Sequence, residues 1–112
     1  MTLELILKEN LSEVIFITNN HRSKKLRKEN IQYIDSVDNS AVIHTIKGTF
    51  QELTRFSEFM KQLENDQEFV RVSENVAVNL NYVDSIVKYT LFIGNKGFQV
   101  AEKYRASIFE EE

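Results

Sequence analysis

Apolar residues along this chain fall in short runs that alternate with polar ones, the period of strands half buried on a sheet. The clearest case is Phe69-Val70-Arg71-Val72, which breaks at the polar trio Ser73-Glu74-Asn75 and resumes at Val76-Ala77-Val78. Such a pattern predicts a strand that runs into an exposed turn and returns to the core, with Phe69, Val76 and Val78 as anchors. Residues 3–7 and 14–18 read as antiparallel strands around the turn Lys8-Glu9-Asn10, with Asn19-Asn20 and the basic run after it as the next loop or hairpin tip. Ile31, Tyr33 and Ile34 lead into a polar loop at 36–40 and a strand at 41–46. Residues 81–87 and 89–93 read as further strands, and the turn Gly94-Asn95-Lys96-Gly97 before Phe98-Gln99-Val100 predicts a tight hairpin.

Two segments change period. Phe56, Phe59, Met60 and Leu63 lie at i, i+3, i+4 and i+7, which specifies one face of an amphipathic helix. Thr54 is its expected N-cap, and Glu58 places negative charge in the first turn, where the helix dipole favours it. Residues 101–109 close the chain as a second helical segment, with Tyr104 and Ile108 on one face.

At 112 residues the chain makes a single domain, 1–112, long enough for a hydrophobic core. Without cysteine it has neither disulfides nor thiolate metal sites, and its two histidines, His21 and His44, are too far apart in sequence to suggest a metal cluster. The apolar runs are of strand length, so no membrane span or membrane partner is expected, and a cytoplasmic location follows as the default.

The net charge of −3 is unlike that of most nucleic-acid binders, but its distribution is uneven. Arg22, Lys24, Lys25, Arg27 and Lys28 concentrate positive charge in one segment, and Glu110, Glu111 and Glu112 concentrate negative charge at the end. The basic run suits either a solvated hairpin or contact with phosphates.

Catalysis lacks its parts, and no enzyme is expected. There is no glycine-rich phosphate loop and no nucleophile beside a histidine, and His44 sits in a strand pattern as a half-exposed structural residue. Asp35 and Asp38 read as turn formers, and Glu64, Asp66 and Glu68 as a solvated acidic cluster. No metal or other cofactor is expected.

The segment from Phe69 to Asn79 resembles the signature of the LytTR family of DNA-binding domains, usually written F-x-R-x-H-R-S-x-x-V-N. Phe69, Arg71, Val78 and Asn79 match, while Ser73, Glu74 and Asn75 stand where the family usually has His, Arg and Ser. Residues 29–35 resemble the family's D-I-x-Y-I-E element, and the closing segment its S-R-R-x motif, with Ala101-Glu102 in place of Ser-Arg. The resemblance covers roughly residues 26–109. It implies a mainly β fold with minor α: an elongated stack of small antiparallel sheets with one short internal helix and a C-terminal helical turn.

The resemblance also implies sequence-specific binding of duplex DNA by a bacterial transcriptional regulator, through loops that enter successive major grooves. The loops would be Val37-Asp38-Asn39-Ser40, Ser73-Glu74-Asn75, and a third carrying Glu102, Lys103 and Arg105. In them Asn39 and Asn75 suit adenine, Lys103 guanine and Glu74 the cytosine amine, each good contact discriminating by about 1–3 kcal/mol. Arg71, Lys88, Lys96 and Arg105 suit phosphates. Expected partners are double-stranded DNA with a repeated promoter site, a second copy of the chain as a homodimer on that DNA, and a receiver domain if the chain is the excised effector part of a two-component response regulator. Glu74 and Glu102 also leave an alternative open, a LytTR-like protein-interaction module that has lost DNA binding.

Overall fold

The computed structural model describes residues 13–19 and 22–109. The strand expected at 3–7 and its turn lie outside the described residues. Within them a five-stranded antiparallel sheet forms the middle layer, in the order β5-β4-β3-β7-β6. Its strands are β3 (Ile31–Val37), β4 (Ser40–Thr45), β5 (Gly48–Arg55), β6 (Phe69–Ser73) and β7 (Val76–Asn79).

Both faces of this sheet are covered, so its strands alternate between two cores. On one face Ile31, Ile34, Ile43, Phe69 and Ala77 pack under the hairpin of β1 (Val14–Asn19) and β2 (Arg22–Arg27), and under α1 (Phe56–Phe59). On the other, Val72, Val78 and the partly buried Tyr33 pack against Leu91, Phe98 and Val100. That layer is the three-stranded sheet of β8 (Ser85–Val87), β9 (Thr90–Ile93) and β10 (Lys96–Gln99), closed by α2 (Arg105–Ile108). Arg71 lies between Val70 and Val72 of the second core and so shares the first core's face, its guanidinium 5.0 Å from the Phe56 ring centroid.

Several local expectations need correction. The basic run is not a hairpin tip but the strand β2, paired residue by residue with β1 from Val14↔Arg27 to Asn19↔Arg22. Leu26 carries that strand into the core, and Lys28, just beyond it, is buried against Asp66 at 2.6 Å. Lys28 therefore leaves the exposed basic set, and Asp66 leaves the solvated acidic cluster. The polar stretch 36–40 is mostly strand, and the turn narrows to Asp38 and Asn39. Thr54 does not cap α1. Its hydroxyl donates to the carboxylate of the buried Glu52 at 3.1 Å, while Arg55 is the residue that precedes the helix, without a side-chain cap. The same carboxylate accepts the Thr18 amide of β1 at 2.9 Å, which satisfies a charge taken from water and ties the hairpin to β5. The helix lasts one turn before tightening into a 3-10 turn at Met60–Leu63, yet Phe56, Phe59, Met60 and Leu63 are all buried, as their spacing requires.

Candidate nucleic-acid interface

Because β3 pairs with both β4 and β7, the β3–β4 and β6–β7 turns emerge from one end of the central sheet. The first has two residues, Asp38 (φ 52°) and Asn39 (φ 70°), both left-handed, the geometry that matches the twist of a two-residue hairpin. Asp and Asn tolerate it better than other residues with a side chain. The second turn holds Glu74 and Asn75, with the Asn75 amide donating to Ser73 Oγ at 3.3 Å. Between the turns lies an open cleft of about 380 Å3 lined by Asn39, Arg71, Glu74 and Asn75, with Ser36, Arg55, Phe56 and Ser57 from β3 and the β5–α1 junction. The Phe56 amide donates to Asn39 O at 3.3 Å, and Ser40 pairs with Arg55 across the irregular end of β4 and β5.

Arg71 organises the second loop from inside. Its Nε donates to Ser73 O at 3.3 Å and its Nη2 to Glu74 O at 2.7 Å. These bonds fix the loop backbone where the register of β6 against β7 shifts, between Arg71 and Ser73. A guanidinium has five donors, so Arg71 keeps some beyond these two.

The third loop is pinned beside the second by the Ala101 amide, which donates to Val72 O at 2.8 Å. From the 3-10 turn Glu102–Tyr104 the Lys103 Nζ reaches Glu74 Oε1 at 2.9 Å. This hydrogen bond, with the charge attraction behind it, holds the Glu74 carboxyl below its ordinary value and raises the Lys103 ammonium. Both groups are exposed, so the pair adds little stability. Its consequence is electrostatic, since the Glu74 carboxylate offsets the Lys103 charge at the loop end. Arg105 donates from Nε to Val100 O at 3.2 Å and lies 4.0 Å from the Tyr89 ring centroid.

The structure thus gathers Asn39, Ser40, Arg71, Ser73, Glu74, Asn75 and Lys103 at one end of the molecule, with Arg105 at the base of the third loop. Lys88 and Lys96 belong to the three-stranded sheet instead. Lys88 occupies the β8–β9 turn with φ 53°, and Lys96 lies over the rings of Tyr33 and Phe98. Sequence reasoning missed Arg55 and Ser57, for which the only signal was their place just before and within a helix start. His44 stacks on Tyr33 at 4.1 Å and its Nε2 is 2.9 Å from Asp35 Oδ1, so all three side chains are engaged with one another. Among the described residues no His, Cys, Asp and Glu group is arranged to hold a metal ion.

Comparison with solved structures agrees with this architecture. The LytTr DNA-binding domain of a putative methyl-accepting/DNA response regulator from Bacillus cereus superposes with a TM-score of 0.66 at 16% identity, covering 84% of this chain and 91% of that one. No curated protein matches the sequence. The profile of the LytTr DNA-binding domain matches residues 21–111, well over half of the chain. The chain belongs to the LytTR family of DNA-binding domains.

Proposed function

We infer that this domain binds duplex DNA sequence-specifically, as a transcriptional regulator, by setting its three loops into successive major grooves. The observation that carries the reading is the gathering of the three loops at one end, two of them flanking the cleft and the third bonded to the second through Lys103 and Glu74. Asn39 and Asn75 supply paired donor and acceptor groups of the kind that read adenine, while Arg55, Arg71 and Arg105 supply guanidinium groups near the phosphates. Repeated half-sites, a second copy on the same DNA, a receiver domain upstream and a cytoplasmic setting belong to the same reading. Among the described residues no helix is long and apolar enough to cross a membrane.

Selection of random duplexes on the purified domain, followed by sequencing, tests this. Enrichment of a short motif whose preference Asn75→Ala relaxes at one position supports it. Equal retention of all sequences refutes it.

One observation favours a second reading. Glu74 neutralises Lys103, and Glu102 stands exposed beside it, so the loop end carries less positive charge than a phosphate-binding surface usually does. A protein-interaction module would show no motif and no loss of duplex binding in Lys103→Ala, but would lose a protein partner.

A further inference from the structure

We propose that the groove between β2 and the β4–β5 turn binds the phosphodiester backbone of a second duplex segment, without regard to sequence. The groove, about 380 Å3, is lined by Lys24, Lys25, Arg27 and Lys47 together with Asn30 and Thr45, and among the described residues no carboxylate lines it. Phe50 forms part of the wall, with Lys24 Nζ 4.3 Å from the ring centroid. The geometry follows from how β2 is built. One edge pairs with β1 and Leu26 is tucked into the core, which leaves the cations of the strand on its exposed surfaces. Arg27 meets Glu29 only at 3.9 Å, with both side chains more than half exposed, so that contact yields easily to a phosphate.

Charge and position distinguish this surface from the loops. The chain as a whole is negative, and the loop end carries Glu74 and Glu102, whereas the groove brings four cations together. Three are lysines, mobile point charges that neutralise phosphates without the planar fork that reads a base edge. Thr45 and Lys47 lie at the end of β4 away from Ser40, and six residues of strand span roughly 20 Å. A duplex that crosses the loop tips at right angles to the strands leaves the groove, at the far end of β4, outside its path, and a stiff duplex does not fold back over that distance. Another segment must fill it. An acidic protein would meet the same charges, but the family acts on a duplex, where phosphate backbone is the polyanion at hand.

The proposal assumes the duplex-binding reading, and its test separates the two. Affinity for a scrambled-sequence duplex is measured across a salt series for the wild-type domain and for Lys24→Gln/Lys25→Gln/Lys47→Gln, whose glutamines keep much of each aliphatic stem. Three lost phosphate contacts should lower the slope of log affinity against log salt by about 2.7. The wild type, but not the variant, should link two differently labelled duplexes. Lys25→Gln/Lys47→Gln, which leaves the Lys24–Phe50 contact in place, should lower the slope by about 1.8 and serves if the triple variant folds poorly. An unchanged slope, or binding of a polyglutamate peptide in place of the scrambled duplex, overturns the proposal. Failure of the three-loop reading leaves a different trace: the wild type enriches no motif, while the slope difference between the wild type and the lysine variants remains.

Discussion

Glu74 and Lys103 set the tone of the loop surface at the residue scale. Removing the acid in Glu74→Gln should free the Lys103 ammonium for phosphate and withdraw a repulsion. Duplex affinity should rise, and its salt slope should steepen by about 0.9, read by fluorescence anisotropy. A flat response would mean that Lys103 faces away from DNA. The pH dependence has a definite sign. Glu74 titrates lower in the fold than in the unfolded chain, so its contribution is present above the ordinary carboxylate range and is lost as pH falls through the lowered folded value. A carboxyl-carbon NMR titration should therefore find Glu74 still ionised in acid where a model-peptide glutamate has begun to protonate. The half-buried Asp66 faces the buried Lys28. Asp66→Ala removes the 2.6 Å partner of the buried Lys28 ammonium and should destabilise the fold in urea unfolding by more than Glu58→Ala, which at an exposed pair with Lys61 should cost under about 1 kcal/mol.

Turn geometry and the proposed base recognition meet in Asn39 at the scale of the element, and the two can be separated. Asn39→Gly keeps the left-handed backbone but removes the amide, so stability should change little while DNA discrimination drops by about 1–3 kcal/mol at one position. Asn39→Ala should lower both, because a Cβ without a side-chain amide disfavours φ 70°. Comparing thermal midpoints with binding profiles of the two variants checks this. The elements legible in the sequence were those whose apolar residues alternate or recur every three to four positions: β1, β3, β4, the β6–β7 and β9–β10 hairpins, the face of α1 and the closing helical segment, while the strand expected at 81–87 shortens to β8 after a 3-10 turn at Leu80–Tyr82. β2 was hidden because four of its six residues are cationic and only Leu26 is buried, so no alternation shows. The length of β5 and the start of α1 were hidden by Glu52, a polar residue in the core whose carboxylate takes up the Thr54 hydroxyl. Of the loop residues, positions were readable from the polar breaks, but partners were not. That Arg71 binds its own loop and Glu74 binds Lys103 depends on contacts between strands and segments that no local pattern encodes.

For the whole molecule, a central sheet covered on both faces joins two cores into one body. Its radius of gyration, 14.7 Å, exceeds the ~13 Å of a compact domain of this length, and it extends 51 × 30 × 24 Å, in keeping with an elongated stack. Because β3, β6 and β7 contribute to both cores, damage to either should lower the stability of the whole. Phe59→Ala in one core should cost about 3–5 kcal/mol and Leu91→Ala in the other about 2–5 kcal/mol. Each should retain a single unfolding transition, seen alike by fluorescence and circular dichroism. Two separate transitions would show that the layers fold independently. The antiparallel order of the central sheet sets the loops at one end of its strands and the lysine groove toward the other. The most direct test of the central claim is sequence selection on random duplexes with the wild-type domain and Asn39→Gly in parallel. The loop-reading account predicts one enriched motif for the wild type and relaxed preference at a single position of that motif for the variant. No enrichment by the wild type, or an identical motif from Asn39→Gly, would contradict it.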